Sequence, residues 1–159
     1  MLRKKTLKHT VRRISRKGYL KRQKTKKRVS KKKQVSISKL IKEADRLFSL
    51  IVRQNFANDD GIQTCYTCGF KNHFKKLHCG HYLSRYYKAA RWDFDNCRPQ
   101  CVMCNLWKKG DIVTFRQNLV KEIGLERVEM VEKKRDQLFK LSREYLENLI
   151  KELQMYGKT

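Results

Sequence analysis

Acidic residues are missing from the first part of this chain: between Met1 and Lys42 there is none. Over all 159 residues, 15 Asp and Glu face 40 Lys and Arg, which leaves a formal charge of +25. An imbalance of this size calls for a polyanionic partner, and nucleic acid is the usual one. Anionic membrane is the competing explanation, but long hydrophobic runs are missing as well. No apolar stretch approaches the roughly 20 residues a spanning helix needs. The basic N-terminal stretch also has no apolar face to lie on a bilayer. The first lysines are not followed by the apolar segment of a signal peptide, so export is not expected. The expected setting is a reducing cytoplasm, where six cysteines are better explained by metal than by disulfides.

Runs such as Lys24–Lys26–Lys27–Arg28 and Lys31–Lys32–Lys33 repel themselves and bury nothing. Residues 1–35 are therefore expected to be a disordered nucleic-acid-binding arm, a solubilising tail being the plainer reading. Order is expected from Ser36 or Ser38, either able to cap a helix over residues 36–58. Leu40, Ile41, Ala44, Leu47, Phe48, Ile51 and Val52 recur at helical spacing, and Asn58-Asp59-Asp60-Gly61 supplies turn chemistry. Past Gly110, Asp111 is placed to cap a helix carrying Ile112, Phe115, Leu119 and Ile123 and stopping at Gly124. From Leu125 to Gly157 a further amphipathic helix is expected, striped by Leu138, Leu141, Tyr145, Leu149 and Leu153. That stripe reads as core or as the seam of a homodimer.

Residues Gly61 to Gly110 carry all six cysteines, three of the four histidines, both tryptophans and the single proline. Cys65-Tyr-Thr-Cys68-Gly69 and Cys101-Val-Met-Cys104-Asn105 are two C-x2-C pairs. Two intervening residues let a tight turn aim both sulfurs at one ion, and two such turns complete the tetrahedral thiolate set that zinc prefers. One pair alone would also suit redox chemistry; two point to a structural zinc. Cys79 and Cys97 are left over, as small buried side chains or as substitute ligands.

Between the knuckles, Lys76-Leu-His78-Cys79-Gly80-His81-Tyr82 reads as a short strand entering a hairpin. A basic aromatic loop (Arg85, Tyr86, Tyr87, Lys88, Arg91, Trp92) follows, then Asp93-Phe-Asp95-Asn96. The order knuckle, strand with His, loop with Asn, knuckle, and Asn opening a helix resembles the ββα-metal layout of HNH nucleases, with Asn105 in place of the last histidine. The residue types suit phosphodiester hydrolysis. A neutral histidine can take a proton from water, and a divalent ion held by side-chain oxygens can carry the developing charge. The resemblance implies His81 as general base, Asn105 as ligand of a catalytic Mg2+ or Mn2+, and Asn96 as the brace of the His81 loop. Arg85, Arg91, Arg98 and Lys108 are the candidate phosphate contacts. Many HNH enzymes place an Asp or His ligand just before the base, where this chain has Gly80; His78, Asp95 and Asp93, in that order, are candidates to replace it.

The stretches His78-Cys-Gly80-His81-Tyr82-Leu-Ser84-Arg85, Arg91-Trp-Asp-Phe-Asp95-Asn96 and Gln100-Cys101-Val-Met-Cys104-Asn105 resemble the phage lambda NinG family, also called Rap. The similarity runs from about Leu40 to the C-terminus and omits the arm. It implies an endonuclease acting on Holliday junctions, D-loops and other branched or double-stranded DNA in phage recombination, in the host cytoplasm. The alternative is a non-catalytic zinc module that binds DNA or structured RNA. The expected fold class is α+β: a small zinc-bound treble-clef core over residues 59–124, an N-terminal helix, and a helical region over residues 125–159.

Overall fold

The computed structural model describes residues 34–55 and 57–156. The expected disorder of the arm lies, save for Gln34 and Val35, outside the described residues. Helix α1 (Ile37–Gln54) starts after Ser36, whose carbonyl accepts the Leu40 N–H at 3.1 Å. The Ser36 hydroxyl pairs with the Ser38 hydroxyl instead of capping the helix. Leu40, Ala44, Phe48, Ile51 and Val52 form its buried face, as their spacing requires. The helix stops at Gln54, short of residue 58, because Asn58 is engaged in the next turn, where its side chain accepts the Ile62 N–H at 2.7 Å. Gly61 takes the left-handed conformation that closes that turn.

Strands β1 (Ile62–Thr64) and β2 (Lys71–His73) pair antiparallel around the first knuckle. Strands β3 (His78–His81) and β4 (Cys97–Gln100) form the second ladder, in the register His78 to Gln100 and His81 to Cys97. The aromatic loop between them makes single turns at Lys88–Ala90 and Phe94–Asn96. After the second knuckle comes a wide π-helical turn, Met103–Trp107. Helix α2 (Ile112–Ile123) breaks at Gly124 with positive φ, as expected. Asp111 stands at its start but is itself left-handed and makes no side-chain cap, contrary to expectation.

The C-terminal region departs further from the sequence reading. Instead of one helix there are two, α3 (Leu125–Lys133) and α4 (Arg143–Tyr156). Ser142 restarts the helix: its hydroxyl accepts the Tyr145 N–H at 3.1 Å and its carbonyl the Leu146 N–H. Most of the expected stripe holds: Leu153 is buried, and Leu141 and Leu149 pack against the same core. Leu146 and Leu153 are the buried residues, whereas Leu138 lies in the connection and is fully exposed. The stripe offered as a dimer seam is filled from within the chain, because Leu146 and Leu153 pack with Leu40, Ala44, Phe48, Ile51, Val52, Trp92 and Cys97. A second core joins Tyr82, Leu83 and Ala90 to Phe115, Leu119, Val128 and Val131. The result is a mixed α+β fold with two small antiparallel ladders and a cysteine cluster.

The revised stripe has a direct test in chemical denaturation followed by circular dichroism. Leu146→Ala and Leu153→Ala should each cost about 2–5 kcal/mol, the usual range for emptying a buried leucine site. Leu138→Ala should stay within about 0.5 kcal/mol. The reverse ranking would overturn the α1–α4 packing.

Candidate functional site

The ligand atoms of Cys65, Cys68, Cys101 and Cys104 all lie within 4.8 Å of one another, and the Cys68 and Cys101 sulfurs are 3.7 Å apart. Backbone N–H groups point at the sulfurs: Cys101 donates to Cys65 Sγ at 3.2 Å and Cys104 to Cys101 Sγ at 3.5 Å. Burial pushes the Cys65 thiol up, but the Thr67 hydroxyl and the backbone donors of Cys101, Cys68 and Thr67 outweigh it and bring the thiol down to about 6. Burial, then the neighbouring sulfurs, push Cys104 up to about 12 despite the lowering effect of Thr67. The Cys65 thiolate is thus favoured, while burial opposes ionisation of Cys68 and Cys104. The donor set, its spacing and these N–H···S contacts fit a structural metal such as zinc.

Asn105, directly after Cys104, reaches across to β3, where its Nδ2 lies 3.0 Å from His78 Nδ1. His78, His81, Arg85 and Asn105 line one cleft against Asp45 of α1. His81 is half-buried at the end of β3, its Nδ1 and Nε2 each 3.2 Å from a carbonyl oxygen, those of Cys79 and Arg91. Burial holds its pKa below the usual histidine value, with the two carbonyls and Asp45 pulling the other way. Burial thus favours the neutral ring, which can donate to only one of the two carbonyls and leaves the other nitrogen with a lone pair.

Asn96 is fully buried and ties the loop after His81: its Oδ1 accepts the Leu83 N–H at 2.7 Å, and its Nδ2 donates to the carbonyls of Leu83 and Ala90. Gly80 faces Gln100, and a Cβ there would collide with the Gln100 amide, so no ligating side chain fits at that position. Of the three candidates to replace it, the fold brings only His78 to Asn105. Asp95 pairs with Arg127 and Asp93 with Lys134, and neither lines the cleft.

Two of the four candidate phosphate contacts are engaged by carboxylates within the fold. Arg98 is buried and held by Glu122, with N–O distances of 2.9–3.1 Å, because β4 turns its side chain towards α2. Arg91 forks onto Asp45 at 2.9 and 2.6 Å and packs over Trp92. Arg85 and Lys108 are exposed and, among the described residues, enter no ion pair; Arg85 lines the adjoining cleft together with Lys109, and Lys108 does not. Two residues were not singled out from the sequence. Asp45 braces both Arg91 and the Trp92 indole N–H, and its only signal was an early acid beside the apolar stripe. Gln100, buried in β4, donates to the Gly110 carbonyl at 2.7 Å and so fixes the exit of the second knuckle.

Fold and cysteine set together define a small α+β protein whose tetrad could hold a structural metal such as zinc. The chain belongs to the bacteriophage lambda NinG protein family, whose model matches residues 1–159. Its relatives include proteins named ninG of Escherichia phage 933W, 33% identical over 95 residues, of Salmonella phage P22, 32% identical, and of Escherichia phage lambda, also 32%. Each match takes in 58% of this chain, 44% of the 933W protein and 43% of the other two, so it spans under half the length of those relatives. No solved structure matches. Among the described residues, no helix is long and apolar enough to cross a membrane.

If zinc fills the tetrad, its binding free energy is folding free energy, on the order of 10–16 kcal/mol for such sites. Cys68→Ser or Cys104→Ser should then lose the metal and the ordered structure from Cys65 to Cys104, read by metal analysis and amide exchange. A purified chain that holds no zinc and melts unchanged in a strong chelator would exclude this role.

Proposed function

We propose that the protein is a zinc-structured, divalent-metal-dependent HNH-like endonuclease that cuts branched DNA, such as four-way junctions, in phage recombination. The observation that supports it most is the convergence of His78, His81 and Asn105 on one cleft beside the cysteine tetrad. In this reading the neutral His81 ring takes a proton from the attacking water through its unprotonated nitrogen. Asn96 keeps the ring on target by holding Leu83 and Ala90. His78 Nδ1 and the Asn105 side chain already face each other; turning the amide over would present its oxygen, so that both offer lone pairs to one cation. A Mg2+ or Mn2+ held there supplies charge stabilisation at the phosphate and at the leaving oxygen. Arg85 and Lys109 attract the backbone to the cleft rim, exposed Lys108 adds a contact beside it, and the charge of residues 1–35 supplies affinity for DNA at large.

On a labelled four-way junction under single-turnover conditions with Mg2+, His81→Ala should keep zinc, melting point and junction affinity. Its cleavage should fall by about 100- to 10,000-fold, the range for loss of a positioned base. Loss in His78→Ala and Asn105→Ala should be partly recovered by excess Mn2+, while Asp95→Ala stays near the parent. Parental cutting by His81→Ala would end this assignment, and a parent protein that never cuts would favour the non-catalytic zinc module.

Deleting residues 1–33 should weaken binding to all DNA alike. It should also flatten the salt dependence by about 0.9 log units per lost phosphate contact per decade of salt. Loss of junction preference with an unchanged salt slope would mean that the arm reads shape.

A further inference from the structure

The cysteines outside the tetrad occupy one place. The β3–β4 register sets Cys97 opposite His81 and Cys79 opposite Pro99. Side chains alternate along a strand, so Cys79 and His81 leave β3 on the same face, and Cys97 joins them from β4. The Sγ atoms of Cys79 and Cys97 and a ring nitrogen of His81 lie within 4.8 Å of one another. Zinc–sulfur and zinc–nitrogen bonds of about 2.0–2.3 Å need only a small contraction of that triangle. Cys97 forms the closed wall, packed in the core with Phe48 and Val52, while Cys79 and His81 open to the cleft. The site therefore has a dry back and a mouth through which an ion and a fourth ligand, water, can enter.

We propose that Cys79, His81 and Cys97 form a second metal site, for a thiophilic divalent cation of the zinc type, distinct from the tetrad. Two thiolates and an imidazole select zinc over Mg2+ and Mn2+, which prefer oxygen. Binding changes no oxidation state: the two thiols release their protons to solvent as the sulfurs bond the metal. The site shares His81 with the proposed hydrolytic centre, so a bound zinc occupies the lone pair that would take the water's proton. Excess zinc then acts as a brake on cleavage that Mg2+ cannot imitate. The binding stands on geometry alone, and only the brake rests on the nuclease reading.

The test titrates Co2+ into the full chain carrying its tetrad metal, read by thiolate-to-cobalt charge-transfer absorption and by metal analysis after desalting. The parent should take up one further equivalent with the spectrum of a two-thiolate site. Cys79→Ala and His81→Ala, at the open mouth, should each lose that equivalent and keep the tetrad metal and the melting point; Cys97→Ala is the third, core-facing variant. A parent that binds nothing beyond the tetrad, or variants that still bind the extra equivalent with the same spectrum, would overturn the proposal. In parallel, zinc in slight excess should slow junction cleavage by the parent about 100-fold, the order expected when a base is withdrawn. Cys79→Ala, compared with its own zinc-free rate, should no longer be slowed. Cobalt uptake without any cleavage would sustain the site and sink the nuclease, whereas cleavage without the second equivalent would do the opposite.

Discussion

Four sulfurs meet at one point, yet they come from two turns separated by 33 residues at their nearest ligands, Cys68 and Cys101. That convergence ties the ends of everything between them. The chain leaves the first knuckle through β2, returns through β4, and must pair β3 with β4 to satisfy its backbone on the way back. His81 ends β3 because of that pairing, and Asn105 opens the wide turn beside it because it follows Cys104. The cleft is therefore a by-product of the knuckles. With few apolar side chains in the third core cluster beyond Leu77, a metal in the tetrad would supply the cohesion that hydrophobic burial does not.

Five of the 15 acidic residues act as internal struts. Asp45 holds Arg91, Glu122 holds Arg98, Glu132 holds Arg116, Asp93 holds Lys134 and Asp95 holds Arg127. Each pair links segments distant in sequence, and the half-exposed ones orient those segments more than they stabilise them. Glu132 also accepts the Tyr82 hydroxyl, so the strut from α2 to α3 reaches the residue after His81. Arg85 and Lys109 at the cleft rim enter none of these pairs, the arrangement a polyanion would meet first.

Each cysteine knuckle and α1 were legible in the sequence because each depends on spacing within a short segment, whereas the meeting of His78 and Asn105, 27 residues apart, could be anticipated only through the resemblance to HNH nucleases. What was not legible depends on distant partners. Nothing near Arg98 announces Glu122, and nothing near Arg91 announces Asp45 on α1, so both arginines read as free cations. The C-terminal stripe misled at its start, for a different reason. Helical periodicity fixes a face only while the helix is unbroken, and Leu138 falls in the connection before the Ser142 restart, while Leu141, Leu149 and Leu153 keep their place against the core. Gly80 was read as a missing ligand, whereas its cause is local crowding: Gln100 fills the space a side chain would take.

Crowding at Gly80 also explains how one short strand can serve two chemistries. Gln100 is pinned to Gly110 by its amide, so the face of β3 bearing Gly80 is closed at that residue, and its one donor is His78 at the strand's start. The opposite face carries Cys79 and His81, with Cys97 across the ladder, and presents soft donors under α1. His78, at the strand's first position, reaches Asn105 at the edge and offers a harder pair. Imidazole is the donor common to both sets, acceptable to zinc and to metals that otherwise prefer oxygen. The strand thus separates metal preferences by position, with His81 at the point where a soft cation and a proton from water would compete for one lone pair.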